Sequence, residues 1–110
     1  MAIQSGASEG NGRTTLAKVL DGIDDLDDDL TIYTSYQPKC DQDSAAVVCF
    51  EPDDGSLPEE AAGLKYLLEV HVAKAVIRVW RAWRKNAIPT SKEKCDAVIY
   101  YATNDSYLPV

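Results

Sequence analysis

Carboxylates are the commonest charged groups in this chain, and their spacing limits what they can do. Asp21, Asp24, Asp25, Asp27, Asp28 and Asp29 form one acidic run. A calcium loop needs alternating ligands, a glycine at its turn and a closing glutamate. This run lacks the turn glycine and the closing glutamate, so it does not read as a cation site. Further acids follow at Asp41, Asp43, Asp53, Asp54, Glu59 and Glu60. Residues 21–60 hold thirteen acids against one base, Lys39. Folding alone does not need such a density, because like charges repel one another in a compact state. Apart from Asp21 and Glu51, these acids are the candidate contact surface for a basic protein partner. A solvated, solubilising surface is the competing reading.

Other chemistry has thinner support. A hydrolase or transferase needs a nucleophile, a base and an orienting group within reach of one another. The single histidine is His71, and the cysteines are Cys40, Cys49 and Cys95. Cys49 and Cys95 stand in apolar runs, where a thiol acts as a small hydrophobe. Cys40, in a polar stretch beside Lys39, is the candidate reactive thiol, although Asp41 and Asp43 would raise its pKa. No histidine or cysteine spacing matches a zinc site, and no cofactor or metal is expected. Ala7-Ser8-Glu9-Gly10-Asn11-Gly12-Arg13-Thr14 resembles a phosphate-binding loop, with alanine for the first glycine and arginine for the lysine. Such a loop requires a strand before it and a parallel sheet around it, and the sequence offers neither. Arginine also does not reproduce the compact charge of lysine.

The elements that position these groups centre on residues 64–86. From Val72, apolar residues recur at Ala75, Val76, Val79, Trp80 and Trp83, the spacing of one helical face. Lys74, Arg78, Arg81 and Lys85 repeat on the other side, with Arg84 beside them. This helix should end near Asn86, which tolerates a left-handed conformation, ahead of Pro89. Residues 64–70 alternate as a strand does, so the period changes at His71. Residues 30–36 and 45–50 are two further strands, expected to pair antiparallel across a short loop. Thr14 is the expected N-cap of a short helix from Thr15 to about Gly22. A single helical turn is expected over 58–62, where Pro58 is tolerated. Thr90 and Glu93 form a capping-box signature for a last helix to about Thr103. The expected fold is α+β: a small, mainly antiparallel sheet of about three strands, a short N-terminal helix and two C-terminal helices on one face.

The chain has 110 residues and a formal net charge of −7. That size favours one domain, over residues 13–110, behind a flexible tail over residues 1–12 rich in Gly, Ser and Asn. Residues 72–94 carry seven bases and one acid, so the charge is segregated along the chain. The net charge disfavours direct binding to nucleic acid or an anionic membrane. No apolar run is long enough to span a membrane. The odd, scattered cysteines and the absence of a secretory-type start make a reducing cytoplasm the expected location.

Tyr100-Tyr101-Ala102-Thr103-Asn104-Asp105-Ser106-Tyr107 resembles the ending of an uncharacterised family of small acidic bacterial domains. There an aromatic pair leads to Asn-Asp, then a small residue and an aromatic. The Gly63-Leu64-Lys65-Tyr66 approach to a strand and helix is similar as well. The resemblance spans most of residues 14–110 and leaves the N-terminal segment outside. It assigns no catalytic residue. Its general character is similar to immunity proteins of bacterial polymorphic-toxin systems. The expected function is therefore a protein-binding module that neutralises a basic, nuclease-type toxin. The alternatives are a homodimer joining the acidic face to the Lys74–Lys85 face, or a small nucleotide-binding or thiol enzyme.

Overall fold

The computed structural model describes residues 12–36 and 39–110. Apart from Gly12, the expected tail lies outside the described residues, as does the phosphate-loop motif up to Asn11. Among the described residues the elements in order are β1 (Thr14–Thr15), α1 (Leu16–Asp21), a 3-10 turn (Ile23–Asp25), β2 (Thr31–Thr34) and β3 (Ala45–Cys49). A second 3-10 turn (Glu59–Ala61), β4 (Lys65–Glu69), α2 (Val70–Ala82) and α3 (Ser91–Asn104) follow. The four strands form one antiparallel sheet in the order β1-β3-β2-β4. The architecture is α+β, with one more strand than the hydropathy pattern gives. Two residues are too few to show an alternation, and Thr14 and Thr15 pair with Ala46 and Ala45 only because the chain passes the edge of β3 there. Thr15, not Thr14, caps α1, accepting from the Lys18 N–H at 3.2 Å.

The change of period at His71 is real but falls slightly earlier. Strand β4 ends at Glu69 and α2 begins at Val70 with no residue between them. The Val70 N–H donates to the Leu30 carbonyl at 2.9 Å, so the ladder passes straight into the helix. Within β4, Leu68 faces Ile32 and Tyr66 faces Tyr33, leaving Leu67 as an extra bulged residue. Both Leu67 and Leu68 are buried in the same cluster. Helix α2 ends at Ala82, and the turn beyond it takes left-handed conformations at Lys85 and Asn86. Asn86 closes it through an N–H bond to the Arg81 carbonyl at 2.7 Å. Helix α3 has the expected cap: Thr90 Oγ1 accepts from the Glu93 N–H, and the Glu93 carboxylate accepts from the Thr90 N–H. Its C-cap, Asp105, is left-handed.

All three helices share one core with the inner face of the sheet. Leu16, Leu20, Ile32, Val70, Val76 and Val98 are completely or almost completely buried there. The outer face carries a smaller cluster, Tyr33, Val47 and Cys49, covered by Ala61 and Leu64. The core face of α2 overlaps the expected one at Val76 and Trp80 but is rotated relative to it. Val70, Ala73, Val76 and Trp80 point inward, whereas Val72, Ala75 and Val79 are half-buried and Trp83 is 51% exposed.

Candidate functional site

The acidic loop and the basic helix are far apart in sequence, yet the fold lays one against the other. Ile23 anchors the first 3-10 turn by burying its side chain beside Leu20 in the core. That holds Asp24 and Asp25 at the surface and leads the chain along α2. The Lys74 ammonium donates to Asp28 Oδ1 at 2.6 Å and to the Leu26 carbonyl at 2.8 Å. The His71 ring lies on the same loop, with Nδ1 3.4 Å from the Asp28 carbonyl and Nε2 3.7 Å from Glu69. The Lys74 hydrogen bond, with its charge, holds the Asp28 carboxyl below its ordinary value. A groove remains between the turn and the helix, lined by Ile23, Asp24, Ile77, Arg78 and Arg81. One of the candidate acids is thus neutralised from within the molecule, and a second faces the cationic side of α2.

The other acids occupy two further loops. Asp41 and Asp43 precede β3, and Asp53 and Asp54 follow it, so the strand sends the pairs to opposite ends. Glu59 and Glu60 are exposed on the second 3-10 turn, where the Arg13 guanidinium donates to the carbonyls of Glu60 and Ala62. The eleven candidate carboxylates therefore divide among three loops rather than forming one continuous patch. Among the described residues, only Asp28 of these eleven is ion-paired. Three of them instead fold their own loops. Asp27 accepts from the Asp29 N–H, Asp41 from the Asp43 N–H, and Asp54 from the Ser56 N–H, each at 2.8–2.9 Å. Such Asx turns fix both the backbone and the carboxylate that makes them. The hydrogen bond from the Ser56 side chain and backbone lowers the Asp54 pKa.

Asp21 opens the acidic run and has a structural use. It accepts from Ser91 Oγ at 2.6 Å and from Lys94 Nζ at 3.2 Å, joining the end of α1 to the start of α3. Its pKa is lowered, first by the Ser91 bond and then by Lys94, against a burial effect that raises it.

The thiols are poor nucleophiles. Burial raises the Cys40 pKa, with Asp41 adding to it, while the hydroxyls of Thr34 and Ser44 oppose the shift. Cys95 is buried on the inner face of α3, and its thiol is pushed up to about 12, mainly by burial. Both therefore stay protonated near neutral pH. Cys40 lies with Lys39, Asp41, Lys92 and Asp96 around a shallow depression. Among the described residues, no group of three or more His, Cys, Asp or Glu side chains could hold a metal ion. No helix among them is long and apolar enough to cross a membrane.

Three features could not be read from sequence spacing. The Lys74–Asp28 pair joins residues 46 apart, and local patterning carries no signal for it. Tyr33 is buried with its hydroxyl unpartnered among the described residues. Trp83 is exposed although it falls on the expected core period.

The chain belongs to a family defined as a domain of unknown function (DUF7716), which it matches over residues 13–110. No curated protein and no solved structure matches it.

Proposed function

We propose that this domain is a protein-binding module whose acidic loops engage a basic partner, in the manner of an immunity protein neutralising a nuclease-type toxin in a bacterial cytoplasm. One observation carries the reading: ten of the eleven candidate carboxylates have no cation within ion-pair distance among the described residues. Unpaired surface carboxylates leave a negative field that raises the encounter rate with a cationic protein. The Asx turns at Asp27, Asp41 and Asp54 support it further, because carboxylates on preordered loops lose less entropy when they bind. The three-loop arrangement favours a partner that wraps one end of the sheet over one that docks on a flat patch. Asp53 and Asp54 lie at the end of β3 that is paired with the start of β2, just after the 24–29 loop. Those two loops are the preferred contact, with Asp41 and Asp43 at the far end contributing only to the long-range field.

The test is the association rate against a basic partner encoded beside this chain. Changing Asp25, Asp27 and Asp29 to Asn should slow association and flatten its salt dependence, while thermal stability holds or rises. Asp28 is left intact because it serves the fold. Equal on-rates for variant and wild type at low salt would reduce the loop to a solubility feature.

A further inference from the structure

Lys74, Ile77, Arg78 and Arg81 follow one another on α2 at i, i+3, i+4 and i+7, so they share one helix face. The fold sets that face opposite the first 3-10 turn, and a groove of about 360 Å³ runs between them. The groove continues past Ile77 and Arg81 to Ile88, beyond the end of the helix. Its apolar parts are Ile23, Ile77 and Ile88. Ile88 is 82% exposed and takes no part in the core. Small-molecule sites of this size combine an apolar lining with a few placed polar groups, and here the polar groups are charged.

Of the four cations along the groove, Lys74 and Lys94 are already engaged, by Asp28 and by Asp21. Arg81 is engaged on one edge only. The turn after α2 is left-handed at Lys85 and Asn86, and it returns two carbonyls to this side chain. Nε donates to the Ala87 carbonyl and Nη2 to the Asn86 carbonyl, each at 3.3 Å. Nη1 has no acceptor among the described residues, so the outer end of the fork is held in place and open. Arg78 makes no hydrogen bond or ion pair among the described residues. The open end of a guanidinium fork matches a carboxylate through two parallel hydrogen bonds. Asp24 lines the same groove without an ion pair, which sets two unpaired cations against one unpaired anion. That balance suits a ligand with one negative charge and disfavours a phosphate monoester, which carries nearly two.

We infer that the groove between the first 3-10 turn and the Lys74–Arg81 face of α2 binds a small aliphatic carboxylate. Its anionic end sits on the Arg81 fork, with Arg78 adding charge, and its hydrocarbon lies against Ile23, Ile77 and Ile88. A free short-chain acid and the C-terminus of a peptide ending in an aliphatic residue offer the same chemistry. The site needs no basic partner, so it stands independently of the acidic-loop reading.

Titration of the whole chain with sodium hexanoate, N-acetyl-leucine, hexyl phosphate and hexanol tests it, followed by the backbone amide signals. Hexanoate or N-acetyl-leucine should shift the signals of Ile77, Arg81 and Ile88 to saturation, and should bind at least about tenfold more tightly than hexanol. Either acid binding supports the inference, and the tighter of the two assigns the source. Arg81→Lys keeps the charge but loses the fork, and should weaken binding by about tenfold. That change also removes the bonds to the turn, so two exposed positions carry the same test without touching the core. Arg78→Gln and Ile88→Ala should each weaken binding by about threefold or more, the first through charge and the second through lost apolar contact. Asp24→Asn should strengthen it. Equal affinity for the acids and hexanol, shifts confined to other residues, or unchanged binding in both exposed variants overturns the inference. Tighter binding of hexyl phosphate than of either acid overturns it as well.

Discussion

The ammonium of Lys74 lies 2.6 Å from the carboxylate of Asp28, fastening the middle of α2 to the acidic loop before β2. Asp21 makes the equivalent link between α1 and α3 through Ser91 and Lys94. Both carboxyls are held below their ordinary value of 3.8 in the folded protein. A group with a lowered folded pKa contributes stability that is complete above its unfolded value. That contribution is lost as the pH falls through the folded one. The urea midpoint of the wild type should therefore drop on acidification below 3.8, and the Asp21→Asn, Asp28→Asn double variant should show a shallower drop. Parallel losses in the two proteins would mean that these links add nothing to stability.

The two tryptophans should separate cleanly. Trp80 is 8% exposed and in the core, with the Arg84 guanidinium 4.5 Å from its ring centroid. Trp80→Ala should cost about 3–5 kcal/mol in chemical denaturation. Trp83 is mostly rim, so Trp83→Ala should cost about 1 kcal/mol or less. Comparable losses at both positions would show that Trp83 is needed for folding.

Tyr33 is 2% exposed and its hydroxyl has no partner among the described residues. Burial raises its pKa, with Glu51 adding to the effect. A buried hydroxyl without a hydrogen bond destabilises, typically by about 1–3 kcal/mol. Tyr33→Phe keeps the edge-on contact with Tyr66, whose ring lies 6.3 Å away. The variant should be as stable as the wild type or more stable by about 1 kcal/mol. A clear fall in the thermal midpoint would show that the hydroxyl is bonded in solution.

Much of the fold was legible because its signals are local. The Thr90–Glu93 capping box, the left-handed Asn86 and the strand-to-helix change beside His71 each depend on a few neighbouring residues. Long-range contacts were not legible. The strand at Thr14–Thr15 exists only through Ala45 and Ala46, and Asp28 is engaged only because Lys74 arrives from another element. The acidic surface was legible as composition, but its division into three loops follows from the direction of β3. On α2 the spacing was true and Val76 and Trp80 were placed rightly in the core, but Val70 and Ala73 were missed and Trp83 is exposed.

The strand that leads into α2 is bulged at Leu67. The two stripes of α2 are the same pattern offset by one residue: Ala73, Val76 and Trp80 against Val72, Ala75 and Val79. One residue of a helix is a rotation of about 100°. Strand β4 meets the helix without a linker, so any offset in the strand is transmitted whole. The bulge adds one residue to β4 at Leu67, three positions before α2 begins. Leu67 thus marks where the sheet register steps just before α2, and the step lets it and its neighbour Leu68 both reach the core.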